Sequence, residues 1–450
     1  MVQAYRFALD PSLTQEAALR SHCGAQRFAF NWGLARVKAN LAQREAERSY
    51  GVPEELLTQA VSWSAWSLRK EFNAVKHQVA PWWAENSKEA YASGLANLAA
   101  GLGNWAASRA GTRKGPKVAF PVYKGKRSVP SVRFTTGAFG LAEGDRRHVK
   151  LPRIGLVRTH ESTRRLARRI EAGMARIRSV TVSHRRGRWH ASFCVEADRA
   201  GRVPARPADT VGVDVGIRHL AVLSTGQVIP NPRPLAKAQR GLRRLARQAS
   251  RRAGPDRRTG QPPSRRWRKT RAKLARRHAR VANLRENALH HLTTRLAAAY
   301  GTVVIEDLHV AGMLRNRRLA RHLADAAFGR IRRQLGYKTT WHGGRLVLAD
   351  RFYPSSKTCS GCGAVKAKLR LSERMFRCER CGLILDRDLN AASNLAALVG
   401  GASSPSRGAT VNEPAGNPRK TRTAGTGYRH GKTIPEPGDG QRPGRKARAA

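Results

Sequence analysis

The chain carries six cysteines, and four of them form two closely spaced pairs, Cys359-Ser-Gly-Cys362 and Cys378-Glu-Arg-Cys381. Each pair is followed by a glycine, Gly363 or Gly382. Two intervening residues let both thiolates of a pair face one metal, and the glycine permits the turn that frees backbone N–H groups toward sulfur. Four thiolates close a tetrahedral shell with no open position. The spacing therefore predicts one structural zinc ion per chain, whose binding contributes on the order of 10 kcal/mol to folding. A redox dithiol or ordinary buried cysteines would not call for the doubled spacing. Cys23 and Cys194 stand alone, so no disulfide framework is present, and a reducing, cytoplasmic setting is expected.

A second set of residues stands out because acids are scarce: 30 Asp and Glu against 86 Lys and Arg. Asp214 lies in the apolar run VGVDVGI, Glu306 ends VVIE, and Asp386 and Asp388 stand in DRDLNAA at the start of a final helical stretch. A sheet can bring the first two side by side, and a helix docked against it can supply an aspartate. Carboxylates a few Å apart resist joint ionisation unless a cation joins them. A pair of Mg²⁺ ions suits hard oxygen ligands, and two ions about 4 Å apart can activate water and stabilise the leaving oxygen of a phosphodiester. Each acid has an ordinary alternative. Asp386 or Asp388 could be a helix N-cap, Glu306 could finish a strand, and Asp214 could satisfy turn amides beside Gly216. The ordered set of Asp on a meander, Glu on a later strand and Asp at a terminal helix matches an RNase H-like nuclease layout.

The formal net charge is +56, with a pI near 11.7. A folded body so charged repels itself unless a polyanion neutralises it, and nucleic acid is the polyanion that fits. No apolar run reaches the roughly 18–20 residues of a membrane span, and the N-terminus lacks an apolar signal core. Charge is densest at 231–285, with 20 Lys and Arg and the single acid Asp256. A Pro- and Gly-bearing break there predicts two helical arms. With almost no acid to pair it, this run reads as a phosphate-tracking surface rather than a solvated helix face, centred on Arg243, Arg244, Arg265, Arg266, Lys269, Lys273, Arg276 and Arg277.

These residues need a scaffold of several domains, which a chain of 450 residues can build. Residues 1–12 read as a strand that joins a later β-domain. Ser12 and Gln15 have capping-box spacing and open a helical domain over 13–110. Its tryptophans Trp32, Trp63, Trp66, Trp82, Trp83 and Trp105 are expected mainly as core anchors. Residues 111–205 read as a small β-barrel-like domain, and 206–352 as the nuclease core with its basic arms. One apolar stripe of the second arm runs through Leu274, Val281, Leu284, Ala288, Leu292 and Leu296. A single helix is expected to carry Leu319, Leu323, Ala327, Ile331 and Leu335. The four-cysteine finger follows at 353–385 and the last nuclease segment at 386–400. The tail, 401–450, is expected to be disordered and basic.

GVDVGIRHLAVLSTG, VVIEDLHVAGML, RFYPSSKTCSGCG with FRCERCG, and LDRDLNAASNLA resemble, in that order, motifs of the TnpB (OrfB) proteins of insertion sequences, relatives of the type V CRISPR effectors. YRFALDPSLTQEAALRSHCGAQRFAFNWGL and the Lys-rich GPKVAFPVYKGKR extend the resemblance, which runs from residue 5 to about 398. It implies an α/β multidomain protein with an RNase H-like (RuvC) nuclease domain and an inserted four-cysteine zinc finger. It implies a guide RNA from the protein's own element, double-stranded target DNA and Mg²⁺-dependent cutting of both strands at one site. Asp214 and Glu306 would be the first two catalytic acids. The D-x-N-A-A pattern selects Asp388 as the third, with Asp386 as fallback. The competing readings are a guide-dependent repressor that no longer cuts, which substituted acids would mark, a transposition accessory or strand-transfer transposase, and a non-catalytic zinc-ribbon RNA binder. Protein partners are not legible.

Overall fold

Ser12 stops the first strand and starts the first helix. Its Oγ accepts the N–H of Gln15 (3.2 Å) while its own N–H is bound by Gln15 Oε1 (3.1 Å), the reciprocal cap the spacing predicts. The computed structural model describes residues 1–126, 128–198, 202–256, 258–370, 372–400 and 410–411. All lie within one compact unit, Met1–Val411.

Strand β1 (Val2–Asp10) precedes helices α1 (Leu13–Ser49), α2 (Ala65–Val79) and α3 (Lys88–Arg109). Then come β2 (Ser131–Phe134), β3 (Gly140–Leu141), β4 (His148–Leu151), β5 (Gly155–Thr159), helix α4 (Arg164–Glu171), β6 (Ala175–Arg185) and β7 (Arg188–Ala197). They form an antiparallel sheet of order β2-β6-β7-β1-β5-β4-β3. The N-terminal strand sits in its middle, paired with β7 from Val2 opposite Glu196 to Leu9 opposite Trp189. Leu19, Leu34, Phe72 and Leu98 of the helices share one continuous core with Phe134, Val157 and Phe193 of the sheet.

The tryptophans meet the expected core role in part. Trp32, Trp63 and Trp83 are only partly buried against this core, and Trp66 is 72% exposed. Leucines and phenylalanines fill the interior instead. Two of the indoles lie beside cations, with Lys76 Nζ 3.8 Å from the ring centre of Trp83 and Lys70 Nζ 5.6 Å from that of Trp66.

The second sheet begins with the meander β8 (Arg206–Asp214), β9 (His219–Leu223) and β10 (Val228–Pro230). Two basic helices follow, α5 (Pro234–Ser250) and α6 (Arg265–Ala299). Next are β11 (Tyr300–Glu306), α7 (Val310–Met313), α8 (Ala320–Ala326), α9 (Phe328–Trp341) and β12 (Arg345–Ala349). A hairpin of β13 (Met375–Arg377) and β14 (Ile384–Asp386) leads into α10 (Arg387–Gly400). Within the tail expected to be disordered, β15 (Thr410–Val411) pairs with β12. The rest of that tail lies outside the described residues. The strand order is β10-β9-β8-β11-β12-β15, with β8, β11 and β12 parallel.

Alternation along β11 gives this sheet two covered faces. Val303 and Ile305 pack with Leu289, Leu292, Leu296, Ile331 and Leu335 of α6 and α9 on one side. Val304 packs with Leu395 of α10 on the other. Two helical expectations need correcting. The stripe on α6 passes through Leu289 rather than Leu284, which is 50% exposed, because α5 holds Leu274 and Val281 while the sheet holds the residues from Leu289 onward. The single helix expected through Ala327 is two, since Ala327 takes a left-handed backbone (φ 56°) that ends α8 and starts α9.

Candidate functional site

Parallel pairing sets Val304 beside Gly212 and Ile305 beside Val213, so the next residues along the two strands are Glu306 and Asp214. Residues opposite one another in a parallel register share a face. Both carboxylates therefore stand on the face occupied by α10. Gly212 shows how closely that helix lies: a Cβ there would be 1.9 Å from the carbonyl oxygen of Ala392 and 2.5 Å from the nitrogen of Ala396. No residue with a side chain could occupy this position without moving α10. The first turn of the same helix carries Asp388, whose charge acts on Asp214.

Burial raises the Asp214 carboxyl to about 8, and the charges of Glu306, Asp388 and Asp386 push in the same direction against the pull of Arg387. The two aspartates at the helix start have separate roles. Asp386 Oδ1 accepts the N–H groups of Asp388 (2.9 Å) and Leu389 (3.2 Å), so Asp386 caps α10. Asp388 is left free of that duty. Glu306 Oε1 accepts the hydroxyl of Ser355 at 2.6 Å. At the neighbouring Asp307 some desolvation favours the neutral form, yet Arg351 (2.8 Å) and Arg332 keep that carboxyl below the usual range.

The four cysteines converge as their spacing predicts. All four Sγ atoms lie within 4.8 Å of one another, which no group of acids matches among the described residues. Cys359 and Cys381 are 3.6 Å apart, Cys362 and Cys378 3.5 Å. A Zn–S bond of about 2.3 Å implies a tetrahedral S–S edge of about 3.8 Å, so the donor set fits zinc. Gly363 and Gly382 adopt φ of 74° and 73° and donate their N–H groups to the carbonyls of Cys359 and Cys378, closing both knuckles. The backbone N–H groups of Cys381 and Arg380 hold the Cys378 thiol down at about 6. Cys381 goes the other way: the Leu383 N–H favours its thiolate, yet the three neighbouring sulfurs push it up to about 12. Four thiolates this close need a cation between them. The cluster can hold a zinc ion.

The basic arms form an antiparallel pair zipped by Leu235, Leu242 and Leu245 against Leu274 and Val281. Arg243, Arg244, Arg265, Arg266, Lys269, Lys273, Arg276 and Arg277 are all exposed. Among the described residues none of the eight has a carboxylate partner. Arg244, Lys273, Arg276, Arg277 and Arg280 line an open groove of about 610 Å³. Asp325 fixes this pair to the core: its carboxylate accepts the N–H groups of Leu235 (3.0 Å) and Ala236 (3.3 Å) at the start of α5 and receives Arg285 of α6 (2.9 Å).

Two features of the site are not evident from the sequence pattern, and a third was within its reach. Ser355 carries no local signal, and Asp325 looks like one more helical polar residue. Gly212 could have been found, because a glycine inside an apolar strand marks a close backbone approach.

Three family models match the chain. One described as "Probable transposase" (OrfB_IS605) covers residues 192–317, one described as "Cas12f1-like, TNB domain" covers 328–395, and the "Helix-turn-helix domain" of OrfB_IS605 covers 1–46. In this structure the last segment is β1 followed by the single helix α1. A protein of Mycobacterium tuberculosis named "Putative RNA-guided DNA endonuclease" is 44% identical over 415 residues, 88% of this chain and 86% of its own length. One of Streptomyces pristinaespiralis is 35% identical over 88% of this chain and 89% of that protein. InsQ of Escherichia coli, also named as an RNA-guided DNA endonuclease, is 32% identical over 88% and 92%. Among solved structures, a Cas12f1–sgRNA–target DNA complex matches 88% of this chain and 98% of its own at 14% identity and a TM-score of 0.44.

The raised Asp214 pKa has a consequence for stability. A carboxyl raised in the fold contributes stability that is fully present below its unfolded pKa, near 3.8, and is lost as pH rises through about 8. In buffer without added divalent cation, Asp214→Asn should therefore melt several degrees above the parent at pH 9 and level with it near pH 4. Equal melting temperatures at pH 9 would mean that the fold does not disfavour the ionised Asp214 carboxylate.

Proposed function

The chain belongs to the OrfB family of insertion-sequence proteins, and from that premise we propose that it is an RNA-guided DNA endonuclease that hydrolyses phosphodiester bonds at one two-ion centre. The observation that carries this reading is the placement of Asp214 and Glu306 at neighbouring strand ends, with the Asp388 charge helping to raise Asp214 to about 8. Two Mg²⁺ ions held there would activate the attacking water and neutralise the leaving oxygen. Asp214 is half-buried at the end of β8 and feels the charges of Glu306, Asp388 and Asp386, so it would hold the ions together with them. Glu306 is oriented by Ser355, and Asp388 completes the set while Asp386 caps the helix.

In this reading the second sheet with α6, α9 and α10 is an RNase H-like (RuvC) core, the four-cysteine hairpin is a structural zinc finger inserted before its last segment, and the antiparallel sheet is the barrel-like domain. Residues 13–110 and 111–205 serve as recognition and wedge-like domains on the shared core. The partners are a guide RNA from the element itself and double-stranded DNA, drawn by the +56 charge and tracked by the paired arms. No helix among the described residues is long and apolar enough to cross a membrane, and the proposed setting is the cytoplasm.

Purified protein carrying its co-purified RNA should cut matching DNA in Mg²⁺, and Asp214→Ala or Asp388→Ala should lower the rate at least about a hundredfold while retaining the RNA. Undiminished cutting by Asp214→Ala would place the chemistry elsewhere. Random cellular RNA in place of one defined species would argue against guidance.

Replacing Arg243, Arg244, Lys273 and Arg276 together by Gln should flatten the slope of log affinity against log salt for nucleic acid by about 3, because each phosphate that a cation neutralises adds roughly 0.7–0.9 to it. An unchanged slope would make these residues a solvated face.

A further inference from the structure

Between the acids and the cysteines runs a loop that no catalytic role explains. The segment from Ser355 to Ser360 leads from the Glu306 side chain to the first cysteine knuckle, and two buried amides of α10 hold it. Asn394 Nδ2 donates to the carbonyls of Ser355 (2.7 Å) and Thr358 (2.7 Å). Asn390 Nδ2 donates to the Thr358 carbonyl (2.7 Å), and its Oδ1 accepts the N–H of Ser360 (3.0 Å), the residue after Cys359. Asn390 is 0% exposed, Asn394 3% and Ser355 3%. Buried amides that only filled space would cost stability, so each of these bonds is compensated and specific. They stand one turn apart on the helix that also carries Asp388.

We propose that Ser355 is a positioning residue for Glu306, and that Asn390 and Asn394 extend its hold to the first cysteine knuckle. One hydrogen-bonded frame then sets both metal sites. The Ser355 hydroxyl occupies one carboxylate oxygen of Glu306 and leaves the other for a divalent cation. The Thr358 carbonyl, shared by both amides, locks the loop to the helix that presents Asp388. Glu306 and Asp388, from distant parts of the sequence, are thereby referred to the same short segment. A structural metal at the cysteines would fix one end of that segment, so its presence supports divalent-ion binding at the acids without touching them. The inference rests on the two-ion reading of the acids and adds the residues that orient it.

The test is Mn²⁺ binding by the zinc-loaded full chain, followed by electron paramagnetic resonance, in the parent, Asp214→Ala, Ser355→Ala and Asn394→Ala proteins. Loss of an outer hydrogen-bond partner typically weakens metal binding about 10- to 100-fold. Ser355→Ala should thus raise the half-saturating Mn²⁺ concentration at least about tenfold while zinc content and melting temperature stay near those of the parent. Asn394→Ala should shift it in the same direction, although Asn394 touches no carboxylate. Should Asn394→Ala fail to fold, the Ser355 variant decides alone. Parent-like Mn²⁺ affinity in a folded Ser355→Ala protein would overturn the positioning role and leave the nuclease reading standing. Parent binding insensitive to Asp214→Ala would overturn both.

Discussion

Burial of the Asp214 carboxyl among other acids is the constraint around which the second sheet and its last helix are arranged. Asp214, Glu306 and Asp388 come from a strand, a second strand and a helix, and nothing in their own chemistry favours their meeting. Packing forces it. The bare backbone of Gly212 lets α10 settle onto the sheet, Leu395 seats against Val304 and Val347, and Asp386 closes the helix so that Asp388 stands at its head. Apolar packing on one side of the helix thus holds an unfavourable charge arrangement on the other, and burial first, then the neighbouring acids, raise the Asp214 carboxyl. Under the proposed function, a cation entering between these acids would relieve that repulsion.

The same logic runs in the opposite sign through the rest of the chain. The paired arms crowd arginines and lysines along α5 and α6, and the short apolar zipper, Asp325 and the bonds of Arg252 to Arg266 and Thr270 keep them together. Under the proposed function, these cations would meet phosphates and the carboxylates a divalent cation. The knuckles complete the pattern, since four crowded thiolates are stable only around a metal. Each of the three sites is under-compensated within the protein, and each points to an ion or polyanion of the opposite charge.

How much of this could be read from the sequence depended on whether the signal was local. Cysteine spacing, the Ser12 cap, the meander and the buried run before Glu306 are local, and the structure contains them. The adjacency of Asp214 and Glu306 was legible as a pattern but needed the parallel register to become geometry. Features set by distant partners were not legible. Leu289 displaces Leu284 because α6 changes partner midway, and Ala327 breaks a helical stripe because its backbone turns left-handed next to the Asp325 anchor. The partial exposure of Trp66 and Trp83, each beside a lysine, was not legible either. Ser355 is one serine among many until the fold points its hydroxyl at Glu306.

The most direct measurement is the anomalous X-ray scattering of crystals soaked in Mn²⁺. Two peaks about 4 Å apart, bounded by Asp214, Glu306 and Asp388, are expected, with a separate zinc edge signal among the four cysteines. No Mn²⁺ density between those carboxylates, or density that persists in Asp214→Asn crystals, would contradict the two-ion centre.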